Sequence, residues 1–177
     1  MMSSNRAHKN ILLTGLPGCG KSTIIENIIG RLHRPSTGFF TREIQKKGHR
    51  AGFSINTLDG RQGTMAHVEI RSPYRVGRYG VDLQSIDLIA VPSMLTNDPR
   101  MVIVIDEIGK MECLSPRFKS TLLAVLDMKN TVLGSIALKG DAFIDAIKQR
   151  PDTALILVTP KNRDHLDDYI LSLVIKD

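Results

Sequence analysis

Residues 10–23 constrain this chain more than any other stretch. They read Asn10-Ile-Leu-Leu-Thr14, then Gly15-Leu-Pro-Gly-Cys-Gly-Lys-Ser-Thr23. The second piece fits G-x-x-x-x-G-K-[ST] in full, with an additional glycine at position 18. An apolar run of strand length precedes it. After it, Ile24, Ile25, Ile28, Ile29 and Leu32 recur at helical spacing, with Gly30 weakening the last turn and Pro35 limiting extension. The reading is strand, glycine loop, helix. Glycines let successive backbone N–H groups curl inward toward a phosphate, and the helix N-terminus adds partial positive charge. Lys21 reaches β- and γ-phosphates as a point charge, and the Ser22 hydroxyl is placed to ligate Mg²⁺ with Thr23 one position on. The candidate phosphate-binding residues are therefore Gly15, Leu16, Pro17, Gly18, Cys19, Gly20, Lys21, Ser22 and Thr23. Cys19 has two readings: a thiol made reactive by the helix terminus, or a residue that only presents its backbone N–H.

The rest of the chain must build a fold around that unit. From Gly38 to Ile70 three β-like segments (39–44, 51–58 and 64–70) are separated by KKGHR and LDGRQG, which predicts an antiparallel meander. Residues 71–80 read as loop. The spacing over 82–97 predicts a helix disturbed at Pro92. Beyond it, strands at 101–105, 131–137 and 154–158 alternate with helices at 116–127, 141–149 and 164–175. That alternation implies βαβ crossovers and a mostly parallel sheet with helices on both faces. With no Trp, five Phe and three Tyr, the core has to be built from Ile, Leu and Val, as a sheet covered on both faces requires.

At 177 residues the chain is read as a single domain, 1–177. Cys19 and Cys113 are its two cysteines, too few for a disulfide framework and in keeping with a reducing compartment. The opening MMSSNRAHKN has no apolar stretch, and no run approaches a membrane span, so a cytoplasmic location without membrane contact is expected. The net charge is +6, and residues 31–78 hold ten Lys or Arg against three acids. This excess is read as a solvated face beside an anion site, since no aromatic-studded nucleic-acid motif accompanies it. Nucleic-acid binding is the sharper alternative.

Met101-Val-Ile-Val-Ile105-Asp106-Glu107 is an apolar strand ending in two carboxylates, the form of a Walker B element. Asp106 is positioned to hold Mg²⁺, and Glu107, next along, to polarise an attacking water. A carboxylate after the metal-holding Asp is a feature of hydrolysing P-loop proteins with an additional strand; the plain alternative is an acidic cap on a buried strand.

The run Asp106-Glu-Ile-Gly-Lys-Met-Glu112, with Ser115 and Phe118, resembles the DEIGKMEL-x-S-x-x-F signature of a small nucleoside-triphosphatase family. That family includes a human cancer-related member and thermophile relatives. Further matching stretches are Gly38–Glu43, Gly48–Phe53, Val76–Val81 and 162–164. The resemblance implies an α/β P-loop NTPase fold carrying the meander (about 38–70) as an insertion. It implies Mg²⁺-dependent hydrolysis of ATP, GTP and other NTPs to NDP and phosphate, and a monomer. It places nucleotide-binding residues on Gly15–Ser22 and on Ile103, Val104, Ile105, Asp106, Glu107, Ile108, Gly109 and Lys110; the two motifs themselves are read as making Lys21 and Glu107 catalytic and as setting Ser22 and Asp106 at the metal. Cys113 stands where the family usually has Leu. Lys110 either contacts the γ-phosphate or pairs with Glu112 to shape the loop.

After the last strand, Thr159-Pro-Lys-Asn-Arg-Asp164 lies where many P-loop proteins read the base. Asn162-Arg163-Asp164 departs from the guanine-reading N-K-x-D, and a flat Arg163 can stack on any base; a polar turn heading the last helix is the alternative. Two rival functions remain at this level. A small nucleotide or metabolite kinase would use Arg71, Arg75 and Arg78 as a lid and 38–70 for an acceptor. A nucleotide-dependent RNA-binding module would use the basic segment. No arginine that could assist at the γ-phosphate is identifiable from the sequence, and slow turnover is expected for that reason.

Overall fold

The computed structural model describes residues 8–175. Nine strands form one sheet in the order β5-β6-β4-β3-β2-β7-β8-β1-β9. Five of them make a parallel core: β1 (Asn10–Thr14), β2 (Ser36–Lys46), β7 (Val102–Ile108), β8 (Val132–Ile136) and β9 (Thr153–Leu157). Side chains alternate across these strands. Ile11, Leu13, Val102, Val104 and Leu133 pack under α1 (Lys21–Arg31) and α6 (Asp167–Ile175). Leu12, Ile103, Ile105 and Val132 pack under α4 (Pro116–Asp127) and α5 (Ala142–Lys148) on the opposite face. Both faces are thus covered, which is why these strands read as continuous apolar runs. β8 lies between β1 and β7, so one strand separates the glycine loop's strand from the one bearing Asp106.

The meander is continuous with the core sheet. β2 pairs in parallel with β7 through Ser36–Phe40, and its continuation pairs antiparallel with β3 (His49–Thr57), which pairs in turn with β4 (Gln62–His67). One eleven-residue strand therefore belongs to both halves, and the antiparallel part extends the same sheet. The stretch 71–80, read as loop, contains β5 (Arg75–Val76) and the start of β6 (Tyr79–Val81), a small hairpin at the sheet's far end. Its strands are too short to carry a period-2 pattern. Its turn is set by Gly77 at φ 57°, a left-handed conformation that a two-residue hairpin loop needs.

The helix expected over 82–97 is shorter and interrupted. Asp82 caps it by accepting from the Gln84 and Ser85 amides, and it runs as α2 (Leu83–Ser85), a π-turn (Ile86–Ala90) and α3 (Val91–Ser93). Pro92, which has no N–H to donate, follows directly on the widened turn. α4 begins where the sequence indicates. Ser115 caps it by accepting from Phe118 N at 2.9 Å, and Pro116 stands in its first turn. Phe118 is fully buried and meets Phe39 edge-on, with ring centroids 6.3 Å apart. No helix among the described residues is long and apolar enough to cross a membrane.

Candidate active site

The carboxyl ends of β1, β2, β7 and β8 open onto one cleft of about 730 Å³. The glycine loop supplies one wall with Gly15, Leu16, Pro17, Gly18, Lys21 and Ser22. Asp106 and Glu107 stand opposite; Ser135, Ala137, Leu138 and Lys139 close one side, and Thr41, Arg42, Glu43, Arg50 and Phe53 the other. The loop's shape depends on Gly15: at φ 151°, a Cβ there would lie 2.4 Å from the Val158 carbonyl oxygen. Lys21 folds back over the loop, its Nζ donating to the carbonyls of Gly15 (3.1 Å) and Leu16 (3.0 Å). Cys19 is buried, with its sulfur 3.9 Å from Lys21 Nζ.

Asp106 is 1% exposed. Its Oδ1 accepts from Ser135 Oγ at 2.7 Å, while Oδ2 is buried with no hydrogen-bond partner among the described residues. Burial raises its pKa above the usual carboxylate value, opposed by the Ser135 hydrogen bond, the neighbouring Ser22 hydroxyl and the charges of Arg42 and Lys21. A buried carboxylate oxygen lacking a donor, beside a serine hydroxyl, suits a hard divalent cation. Among the described residues no group of three His, Cys, Asp or Glu gathers as a metal cage. Glu107 is half-buried beside it; burial raises its pKa, Lys21 opposes the rise, and Asp106 adds to it.

The other sequence-level candidates separate into groups. Ile103, Val104, Ile105 and Ile108 are fully buried in β7, where they carry the carboxylates to the cleft and do not line it. Lys110 is exposed and lines a different hollow of about 340 Å³ with Arg75, Cys113 and Asp141. Glu112 turns inward and is 4% exposed, and no ion pair joins it to Lys110 among the described residues. Gly109 lies between the acids: a Cβ there would sit 2.9 Å from Glu112 Oε2 and 3.4 Å from Glu107 Cδ. Burial, together with the charge of Glu107, pushes the Glu112 carboxyl up to about 8.

Asn162 is engaged in its own turn. Its Oδ1 accepts from the Thr159 amide at 2.8 Å and its Nδ2 donates to the Leu157 carbonyl at 2.9 Å. Arg163 lies against Gly20 and, with Thr23, Asn27, Asp164 and Asp167, lines a second cleft of about 420 Å³ on the other side of the α1 N-terminus. The loop therefore stands between two clefts.

Sequence reasoning did not find Ser135, Arg42, Arg50 or Lys139. Ser135 sits in an apolar strand with no local motif, and the arginines were absorbed in the general basic excess. The sequence identified no arginine to assist at the γ-phosphate; in the structure Arg42 and Arg50 both line the main cleft.

An α/β sheet whose glycine loop and acidic strand end share one cleft defines a class, the proteins that hold nucleoside triphosphates. The chain belongs to the NTPase family, whose model matches residues 10–171. It is 41% identical over 165 residues to a nucleoside-triphosphatase THEP1 of Thermotoga sp. strain RQ2, covering 93% of this chain and 94% of that one. It is 36% identical over 183 residues to the human cancer-related nucleoside-triphosphatase, covering 94% and 96% respectively. The crystal structure of THEP1 from Aquifex aeolicus superposes with a TM-score of 0.86 at 35% identity, over 93% of this chain and 98% of the other.

Proposed function

We propose that this protein is a P-loop enzyme that hydrolyses ATP, GTP, CTP and UTP to the diphosphate and phosphate, in a Mg²⁺-dependent and slow reaction. The observation that carries this reading is that Lys21, Ser22, Asp106 and Glu107 line one cleft. The loop amides and Lys21 hold the phosphates, and Ser22 and Asp106 would hold Mg²⁺. Bound there, the ion would supply positive charge against the charge that develops on the phosphates. Glu107 takes a proton from water as its oxygen bonds to the γ-phosphorus. The bond to the bridging oxygen then breaks, with its electron pair leaving on the diphosphate. Broad base use fits a second cleft whose flat cation, Arg163, offers stacking without a fixed donor pattern. Slow turnover is expected even with an arginine in the cleft, since a P-loop protein carrying its arginine in cis turns over at about 10⁻² s⁻¹. A monomer acting in the cytoplasm completes the proposal.

In the kinase alternative Arg71, Arg75 and Arg78 would have to close over a cleft that none of them lines. Phosphate release should be measured over the common NTPs with and without small-molecule acceptors. Release without any acceptor is the expected result, and release only with an acceptor would replace hydrolysis by transfer. Salt-sensitive RNA binding that alters turnover would favour the RNA-module alternative. Asp106→Asn should raise the Mg²⁺ concentration needed for half-maximal turnover while nucleotide affinity at saturating metal changes little. An unchanged Mg²⁺ titration would remove Asp106 from the metal site.

A further inference from the structure

Three cations besides Lys21 line the main cleft: Arg42, Arg50 and Lys139. They differ in which side of the sheet they occupy. Phe40 pairs with Asp106 across the parallel ladder and packs in the cluster under α1. Arg42 follows two residues later, so it shares that face. There its Nη2 lies 2.8 Å from Glu26 Oε1 on α1, and its guanidinium lies 5.0 Å from the centroid of the Phe40 ring. Glu26 is four residues beyond Ser22, so the two side chains stack on one helical face, one turn apart. The arginine is thereby docked one turn from the Ser22 hydroxyl, on the side of the sheet from which α1 rises. Its side chain is 43% exposed and free of the core, so it can swing within the cleft.

Arg50 is arranged differently. It is ion-paired to Glu43 and lies 5.5 Å from the centroid of Phe53, which packs against the opposite cluster. Its backbone carbonyl also accepts from Arg78 in the turn of the β5–β6 hairpin. Lys139 belongs to the wall beyond β8. Of the two arginines, Arg42 is the one on the α1 face, and its charge acts on Asp106 alongside that of Lys21.

We propose that Arg42 is a catalytic arginine supplied in cis. Its guanidinium leaves Glu26 and binds non-bridging oxygens of the γ-phosphoryl group as the bond to the diphosphate breaks. Glu26 is the carboxylate that parks the guanidinium one turn from Ser22 between turnovers. The planar fork of an arginine matches two phosphoryl oxygens, which a lysine cannot do. This inference rests on hydrolysis in the main cleft as proposed above.

The test compares wild type with Arg42→Ala, Arg42→Lys and Arg50→Ala, reading turnover, affinity for a non-hydrolysable ATP analogue, and affinity for ADP with aluminium fluoride. Arg42→Ala should lower kcat by about 10² or more, toward the ~10³–10⁵ an arginine at the γ-phosphate is worth. Affinity for the ATP analogue should stay within about threefold, while binding of ADP–aluminium fluoride falls with the rate, the pattern of an interaction made only in the transition state. Added guanidinium should restore part of the Arg42→Ala rate, and Arg42→Lys should remain well below wild type. Turnover within about threefold of wild type, or an equal loss of analogue affinity, would overturn the proposal. A loss confined to Arg50→Ala would move the role to Arg50. Absence of hydrolysis by wild type would instead remove the reading of the cleft on which the inference stands.

Discussion

Glu107→Gln is expected to bind a nucleoside triphosphate and keep it intact. The substitution preserves the side chain's length and hydrogen-bonding reach and removes the charge. The contacts assigned to binding lie elsewhere, on Gly15–Ser22 across the cleft and on Asp106, whose Oδ1 is held by Ser135. What disappears is the group that takes a proton from the attacking water. A positioned general base contributes roughly 10²–10⁴ in rate, or about 3–5 kcal/mol at 1.36 kcal/mol per decade. Burial raises the Glu107 pKa, which strengthens the carboxylate as a proton acceptor, and the charge of Lys21 opposes that rise. The measurement is recovery of unhydrolysed NTP from the isolated complex, with single-turnover rates beside it. Wild-type turnover in this variant would hand the water to another group of the cleft, such as Glu43, which also lines it. Loss of binding in step with loss of rate would make Glu107 a structural or metal residue.

The strand, glycine loop and first helix are legible because every determinant is local. The motif fixes the loop, and the isoleucines after it fix the buried face of α1, where Ile24, Ile25 and Ile28 are the buried residues. The same holds for α4, whose cap, first-turn proline and apolar spacing all lie within twelve residues. The interrupted helix over 83–93 was only partly legible, since Pro92 announces a disturbance without saying that a π-turn precedes it. The relation of the meander to the core could not be read locally. β2 looks like an ordinary meander strand, and only its pairing with β7 reveals that its first half belongs to the parallel sheet.

The site divides in the same way. Lys21, Ser22, Asp106 and Glu107 come from contiguous motifs and meet in one cleft. Arg42, Arg50 and Ser135 enter it through sheet order, which no short window encodes. The signature around Asp106 also has a structural half. Ser115 caps α4 and donates to Asp87 on the π-turn, and Phe118 fills the core against Phe39. A sequence signature of this kind mixes residues that serve chemistry with residues that hold the chemistry's loop in place.

Glu112 belongs to that second kind, and it makes the fold sensitive to pH. Its carboxyl is buried behind Gly109, close to Glu107, and titrates at about 8 in the folded protein against an ordinary value of 4.5. Between those values the folded state holds a proton that the unfolded state has released. Stability is therefore fully present below pH 4.5 and falls as pH rises toward and through 8. The difference between the two values corresponds to about 4–5 kcal/mol at 1.36 kcal/mol per unit. Glu112→Gln keeps the shape and the neutral state, so it should match wild type in acid and exceed it increasingly toward pH 9. For a chain of this size, each kcal/mol moves Tm by roughly 2–4 °C. Thermal unfolding in chelator across pH 4–9 reads the difference directly, with a gentler slope left in the variant because Asp106 and Glu107 are raised in the same direction. Parallel wild-type and variant profiles would mean that Glu112 is charged in the folded protein at neutral pH, and the burial argument for the loop behind Glu107 would fail with it.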